Sequence, residues 1–440
     1  MKRIVALLLA GVMVIMAAGC SKPADQGAQA SGDAAKADEV VELDFLGWEA
    51  SPLETEAVKN GIAAFEATHP NIKINYTASL SGSEYVAKVL ASAASKSLPD
   101  VIFCDGYDYP TMASKGILLD ITDKFGSEFS MDEFIPASQQ IMSFNDRVYG
   151  IHACIVGGVI FYNKDIFDAA GIPYPSSDPD NRWTVDEFVE IAKKLKTDDV
   201  WGCYGFEGSS DCWCALQASN NGRWFSDDAK SADFDTPQNK EVFQWIKDLR
   251  TVHNVAPTPA TLDNAGMSAV QMLETGKIAM LADGSWCLQE IAASGMNVGI
   301  APLPYFETPA SAGEAHLHCI TTQCEHPDEA WEFVKFLAGE EYQGAVCKTG
   351  LWMPNRSQWY KAENFDKWYD EKVYGAEFKT MAPYFEKSVR SEQTRQLDTR
   401  SVDVITEELN MFFLEDQDID LTFSNIQNRI NANLQEVVGK

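Results

Sequence analysis

The sequence predicts an α/β protein built from two lobes. Three observations support this prediction. A strand and helix alternation begins at residue 41, a similar alternation begins again after Tyr149, and 45% of the 440 residues are hydrophobic, enough for a sizeable core. Two α/β lobes joined by more than one crossing are the economical architecture for such a chain.

The first alternation covers roughly the first quarter of the chain. Apolar residues alternate with polar ones over 41–45 and 72–76, which predicts two strands, and they recur at helical spacing over 54–68. An Ala-rich helix over 85–96 then leads to a short buried strand over 101–103. This order of elements predicts a largely parallel sheet.

The second alternation begins with a strand over 159–162. Thr184 and Glu187 have the spacing of a capping box at a helix start, and a further strand is predicted over 278–282. A helix is framed over 327–339 by Pro at its start and Gly at its end. The C-terminal hundred residues are predicted to be helical, without a strand.

The N-terminus has the features of an exported lipoprotein. Two basic residues precede an apolar run over 4–18, which is too short to span a bilayer comfortably and ends in small residues before Cys20. This pattern resembles a bacterial lipobox, although an ordinary signal peptide with a chance cysteine is the alternative. We expect a signal peptide over 1–19, lipidation of Cys20, and a flexible tether over 20–39 that holds the body outside the cell membrane.

The net charge of −30 limits the possible partners. Nucleic acid is excluded and an anionic lipid surface is disfavoured, because both need a basic footprint. High net charge also favours a monomer. The nine cysteines after Cys20 are odd in number and irregularly spaced, so we expect mostly buried free thiols, with one or two disulfides possible.

Several segments resemble the extracellular solute-binding proteins of ABC importers, of the sugar-binding family 1 type. They include FEATHPNIKI, LPDVIF with SKGIL, FYNKD, GKIAM with DGSW, and HPDEAWEF. These segments occupy residues 65–74, 98–103, 114–118, 161–165, 276–286 and 326–333. They occur in the order that the family shows.

The resemblance implies two lobes joined by hinge strands, with a ligand cleft between them, as in the type II periplasmic-binding-protein fold. It assigns lobe 1 to 40–149 plus 300–348 and lobe 2 to 150–299 plus 349–440. Hinge closure would capture a carbohydrate, with an oligosaccharide favoured, and deliver it to the permease subunits of an ABC transporter. No enzyme activity and no cofactor are expected.

Sugars need aromatic platforms and hydrogen-bonding side chains, so the candidate ligand-binding residues are aromatic and polar. Some follow predicted strands, where open α/β sheets bind ligands. Others lie at positions that the resemblance places near the cleft. The candidates are Trp48, Glu49, Asp105, Tyr107, Trp213, Trp224, Asp283, Trp286, Trp352 and Arg356.

Other interpretations remain open at this point. The same fold could bind a peptide, an amino acid or a polyamine, and the chain could be an exported glycoside hydrolase or a surface sensor. His316, His318 and Cys319 could bring soft metal ligands together, but no fourth ligand is evident, and no metal site is predicted.

Overall fold

The computed structural model describes residues 40–49, 51–79, 83–228, 230–258, 261, 266–391 and 400–438. The predicted signal peptide 1–19, the tether 20–39 and the lipidation site Cys20 lie outside these residues. Within the described ranges, none of the helices is both long and apolar enough to cross a membrane.

Strands and helices are numbered here in chain order. The strands are β1 Val41–Trp48, β2 Ile72–Ser79, β3 Val101–Asp105, β4 Ser143–Phe144, β5 Arg147–Val148, β6 Ile151–His152, β7 Gly158–Asn163, β8 Met280–Gly284, β9 Val298–Pro302, β10 Ala312–Gly313, β11 His316–Ile320 and β12 Val389–Arg390. The helices are α1 Pro52–Thr68, α2 Ser83–Ser95, α3 Tyr109–Ser114, α4 Thr122–Glu128, α5 Pro136–Met142, α6 Lys164–Ala170, α7 Val185–Leu195, α8 Ser210–Ser219, α9 Pro237–Thr251, α10 Ala269–Glu274, α11 Cys287–Ser294, α12 Pro327–Leu337, α13 Glu340–Cys347, α14 Glu371–Tyr374, α15 Phe378–Met381, α16 Pro383–Glu386, α17 Arg400–Leu414 and α18 Ile419–Val438.

The first sheet has the strand order β2-β1-β3-β11-β6. β1 pairs in parallel with both β2 and β3, as the alternation of strands and helices predicts. β11 then pairs antiparallel with β3, in a register that sets His316 opposite Asp105. The parallel prediction is therefore confirmed for the first three strands, while a strand from much later in the chain extends the sheet in the opposite direction.

The second sheet has the order β8-β7-β9, and both outer strands run antiparallel to β7. The second sheet is therefore antiparallel. β8 and β9 run in the same direction on opposite sides of β7, and β7 runs in the other direction. Gly299 in β9 leaves room for the ring of Tyr162, since an added Cβ would lie 2.1 Å from Cζ of that ring. This close packing gives Tyr162 a structural place within the sheet.

The described residues of the C-terminal part are mainly helical, as predicted, but they include the short strand β12. β12 pairs in parallel with β10, so the expectation of no strand in the last hundred residues is wrong. The pairing arises through tertiary contact, which local propensity does not record. α17 and α18 bury apolar residues against the same hydrophobic cluster as α8 and α9.

All nine cysteines of the described residues are free, and eight of them are buried. Their thiols behave as small apolar groups in the core. The expectation of mostly buried free thiols is therefore confirmed, and none of the possible disulfides is formed.

The predicted capping box at the start of α7 is present. The Glu187 amide donates to the Thr184 hydroxyl at 3.3 Å, and the Thr184 amide donates to the Glu187 carboxylate at 2.8 Å. Replacing Thr184 by alanine should lower the free energy of unfolding by about 1 kcal/mol, measured by urea denaturation. Thr251→Ala is the control, because the exposed Thr251 hydroxyl donates to the Lys247 carbonyl and caps no helix start. Equal unfolding midpoints for the two variants would contradict the capping role.

Candidate functional site

Extended segments run side by side between the two sheets. Residues 312–320 pass from β10 through Glu314 into β11. The backbones of Glu314 and Val156 exchange two hydrogen bonds of 3.0 Å, and those of Ile155 and Met353 exchange two of 3.0 and 3.1 Å. We call this paired backbone the crossing; it consists of residues 153–157, 312–316 and 353.

Four half-buried carboxylates converge at the crossing, and we call them the acidic cluster. Asp105 ends β3 in the first sheet, and Asp283 lies near the end of β8 in the second sheet. Asp211 lies in the first turn of α8, and Glu314 belongs to the crossing itself. Asp283 and Asp105 act electrostatically on Asp211, and Asp211 and Asp105 act on Glu314, which places the four groups together. The cluster therefore draws side chains from both sheets.

A glycine allows the helix that carries Asp211 to approach the second sheet. A Cβ added to Gly158 would lie 2.9 Å from backbone atoms of Cys212, which directly follows Asp211. No larger residue fits at that position without a backbone shift. The start of α8 is thereby brought against β7, next to the crossing.

The carboxylates of the acidic cluster hold their protons more tightly than free carboxylates do. Burial raises the pKa of Asp211 to about 7, and the charges of Asp283 and Asp105 add to this. Burial raises the pKa of Asp105 to about 6. Burial followed by repulsion from Asp211 and Asp105 raises the pKa of Glu314 well above its usual value, while Arg390 opposes the shift. Such perturbed groups in a cleft are typical of functional sites.

The Tyr107 hydroxyl lies near the Asp105 carboxylate and favours its ionised form, so these two predicted residues are brought together. Tyr107 lies two residues beyond the end of β3 and is half-buried. This interaction lowers the pKa of Asp105 and partly offsets the effect of burial.

Trp286 presents an exposed aromatic surface three residues after Asp283. Its side chain is 38% exposed, unlike most tryptophans of the described chain. The ring lies against Gly284, where an added Cβ would be 2.1 Å from the nearest ring carbon. The Ser285 amide between them donates to the Gly157 carbonyl at 2.9 Å, which ties this turn to the crossing. The exposed ring is therefore held on the turn that also carries Asp283.

Trp48 and Trp352 are buried beside the first sheet, with exposures of 8% and 3%. Both rings pack edge-on against His316, with centroid separations of 5.0 and 5.2 Å. Because His316 pairs with Asp105, the two tryptophans support the sheet end that carries the cluster. Glu49 is exposed just beyond β1, and its amide donates to the Ser79 carbonyl at 3.0 Å. Contact of any of these residues with a ligand stays a prediction.

Trp213 and Trp224 lie in the hydrophobic core of the second sheet and its helices. The indole N–H of Trp213 donates to the Phe206 carbonyl, and that of Trp224 donates to the Gln217 side chain. Both rings are nearly fully buried, at 6% and 1% exposure. Their satisfied hydrogen bonds and their burial favour a packing role, and their binding role stays a prediction.

Arg356 makes contacts that fix the chain after the crossing. Its guanidinium donates to the Ala338 carbonyl at 3.0 Å and pairs with Glu133 at 3.3 Å. It also lies over the rings of Phe129 and Phe134, at 4.8 and 5.1 Å from their centroids. These contacts belong to the first sheet's core, so a binding role for Arg356 stays a prediction that the site does not require.

Sequence reasoning missed two members of the acidic cluster, Asp211 and Glu314. Neither follows a predicted strand, and neither belongs to a segment that resembles the family. The available signal was Glu314 two residues before His316, because alternate residues of an extended strand share a face. Asp211 gave no comparable signal, because an acidic residue in the first turn of a helix is common.

The buried histidines do not form a metal site. His316 and His318 pack edge to face, with ring centroids 5.2 Å apart, and burial lowers the pKa of His318 to about 3. Among the residues that the structure describes, no group of three or more histidine, cysteine or acidic side chains is arranged to hold a metal ion.

Two sheets joined by a paired crossing, with polar side chains from both sheets gathered at the junction, define a two-lobe binding protein of the α/β class. The chain belongs to the bacterial extracellular solute-binding protein family, whose model matches residues 51–344. This membership identifies an outward-facing binding protein of the kind that serves ABC transporters, and its relatives are binding proteins rather than enzymes.

Individual relatives agree with the family assignment. An uncharacterized lipoprotein of Streptomyces antibioticus is 26% identical over 339 residues, which cover 75% of this chain and 71% of the relative. A periplasmic sn-glycerol-3-phosphate-binding protein of Rhizobium meliloti is 25% identical, with coverage of 68% and 69%. The structure of a Listeria monocytogenes ABC substrate-binding protein in complex with cycloalternan superposes with a TM-score of 0.78 at 20% identity, covering 90% of this chain and 99% of that one. At that identity the structural likeness concerns the fold.

Proposed function

We propose that this protein captures a carbohydrate at the crossing and delivers it to the permease of an ABC transporter. The observations that carry the proposal are the acidic cluster and the exposed ring of Trp286, which is held on the turn that also carries Asp283. Carboxylates accept hydrogen bonds from sugar hydroxyls, and an aromatic face packs against the apolar C–H face of a sugar ring. The cycloalternan complex of the structural relative is consistent with an oligosaccharide.

The charge of the site argues against the ligand of the glycerol-phosphate-binding relatives. A phosphate group would meet Asp105, Asp211, Asp283 and Glu314 at short range, and like charges repel strongly in a partly buried site. An Arg or Lys cluster is the usual phosphate partner. We therefore propose a saccharide without phosphate.

We further propose that the two sheets are the cores of two lobes that close around the solute. The lobes would divide at 153–157 and 312–316, later in the chain than the sequence-based boundaries at 149 and 300. Paired extended strands of this kind suit a hinge, because a few residues there absorb the rotation. We also propose a lipid anchor at Cys20 and a monomeric state, for which the lipobox and the net charge of −30 are the support.

A thermal-shift screen tests the proposal. Purified protein is heated with mono- and oligosaccharides, amino acids, peptides, polyamines and glycerol phosphate. A saccharide at 100 times its Kd should stabilise the protein by about 2.7 kcal/mol, which is readily seen as a raised Tm. The ligand should be recovered unchanged, whereas an enzyme would release a product. Stabilisation by amino acids, peptides or polyamines alone would contradict the carbohydrate assignment but would leave the family assignment unaffected.

A further inference from the structure

We propose that the acidic cluster selects a saccharide that carries an amine, with the ammonium group bound between Asp211 and Glu314. This inference deepens the proposed function and rests on it, since it assumes that the ligand is a saccharide. Binding of an ammonium group requires a negatively charged partner in the site, whereas binding of a hydroxyl does not.

The balance of charge at the cluster is the first reason. Asp211 is acted on by the carboxylates of Asp283 and Asp105, and Glu314 is acted on by Asp211 and Asp105. Arg390 is the cation that acts on Glu314, and it has further contacts of its own. Buried charges are stable when they are paired. Among the described residues, Arg390 is the cation that opposes the raised pKa of Glu314, and a positively charged ligand group would further favour the ionised form of these carboxylates.

Unsatisfied polar atoms at the crossing are the second reason. Oε2 of Glu314 is enclosed and has no hydrogen-bond partner. Nε2 of His316 also has no partner, although that side chain is only 4% exposed. Residues 314 and 316 share a face of the extended segment, and His316 pairs with Asp105. Buried polar groups without partners are rare, and here they occur next to the cluster, where a bound donor would satisfy them.

An ammonium group fits these features better than the other candidates. It provides three donors and a positive charge, and hydrogen bonds between charged partners are the strong ones. A hydroxyl supplies one donor and no positive charge. A bare metal ion is disfavoured, because the described residues include no group of three or more ligating side chains with suitable geometry.

The experiment compares matched saccharides that differ only in the substituent at C2 of each ring. Glucosamine and its β-1,4-linked dimer and trimer, their N-acetylated forms, and glucose, cellobiose and cellotriose are titrated calorimetrically against the wild-type protein. Galactosamine and mannosamine are paired with galactose and mannose in the same way. We expect at least one free-amine saccharide to bind ~10-fold or more tightly than its hydroxyl and N-acetyl counterparts, with a preference that weakens as salt increases.

The Glu314→Gln variant tests the assignment to the cluster. It keeps the size of the side chain but cannot ionise, so it should reduce the amine preference to about 3-fold or less, because free-amine saccharides lose more affinity than their neutral counterparts. Glu363→Gln, at an exposed glutamate, is the matched control and should keep the full preference. Its preserved Tm, together with that of Glu314→Gln, checks that both variants fold.

Two results would overturn the inference in distinguishable ways. If neutral saccharides bind as tightly as amines, or no amine saccharide binds while a neutral one does, the amine inference fails and carbohydrate capture stands. If neither kind binds in this series or in the thermal-shift screen, both proposals fail. An amine preference that survives Glu314→Gln would overturn the assignment to Glu314.

Discussion

Replacing Asp211 by asparagine should make the protein more stable at pH 7.5 and weaken its capture of solute. Burial and the charges of Asp283 and Asp105 raise the pKa of this carboxyl from 3.8 to about 7. A displacement of that size corresponds to roughly 4 kcal/mol for a single isolated group. Because the asparagine amide is also a polar group that must be buried, we expect a smaller gain of about 1–3 kcal/mol in the free energy of unfolding.

The gain should depend on pH in a defined direction. In the folded protein Asp211 retains its proton at pH values where the unfolded chain has already lost it. The contribution of Asp211 to wild-type stability therefore falls as the pH rises from about 4 to about 7. The advantage of Asp211→Asn should be close to zero near pH 4, grow through this window and level off above it, as measured by urea denaturation at each pH.

A matched aspartate separates this effect from the helix dipole. Asp186 is the second residue of α7, as Asp211 is of α8, but it is exposed. Asp186→Asn should lose about 0.3–1 kcal/mol, because a negative charge near a helix start is favourable. Asp211→Asn also loses this favourable interaction with the helix dipole. Its free energy of unfolding should still increase, because the cost of burying the Asp211 carboxylate is larger. Equal losses of unfolding free energy in the two variants would show that burial and the neighbouring carboxylates do not destabilise Asp211.

Saccharide binding should change in the opposite direction from stability. Removing one carboxylate of the cluster takes away a charged acceptor, so Asp211→Asn should raise the Kd by about 10-fold or more. A binding-site carboxylate can destabilise the empty protein and still contribute to ligand affinity. Removing it then raises stability and lowers affinity. Unchanged affinity would remove Asp211 from the proposed contact set.

Local sequence patterns predicted many of the fold's elements, because their signals are short in range. The capping box of Thr184 and Glu187 depends on residues three apart, and the alternation of β1 depends on neighbours two apart. The pairing of His316 with Asp105 could not be obtained in this way, since it joins residues that are distant in the sequence. The same reason hid β12 and the antiparallel second sheet.

The site was harder to predict than the fold, because residue type alone does not report burial. Tryptophan suits both a sugar platform and a protein core, and Trp224 at 1% exposure is indistinguishable in the sequence from Trp286 at 38%. Asp105, Tyr107 and Asp283 could be proposed because they follow predicted strands, where sheets gather ligand-binding groups, and their contact with a ligand stays a prediction. Asp211 reaches the cluster because α8 packs closely against β7, and this packing requires a glycine at position 158.

Replacing Trp286 by alanine should weaken saccharide binding by about 10- to 100-fold with little effect on stability. A large aromatic anchor at a binding site contributes on the order of 2 kcal/mol, and its ring is exposed enough that truncation opens no core cavity. Calorimetric titration gives the affinity, and urea denaturation should show a change within about 1 kcal/mol. Trp286→Phe should retain part of the affinity, because a smaller platform remains.

Gly284→Ala provides the same test without altering the tryptophan. The added methyl group would lie 2.1–2.3 Å from three carbons of the Trp286 ring, so the ring must leave its present position. We therefore expect a loss of affinity comparable to that of Trp286→Ala. Gly208→Ala is the control, because nothing lies within 4 Å of its added Cβ, and it should bind normally. If Gly284→Ala binds as the wild type does, the orientation of the ring does not matter, and Trp286 is not the platform on which the saccharide stacks.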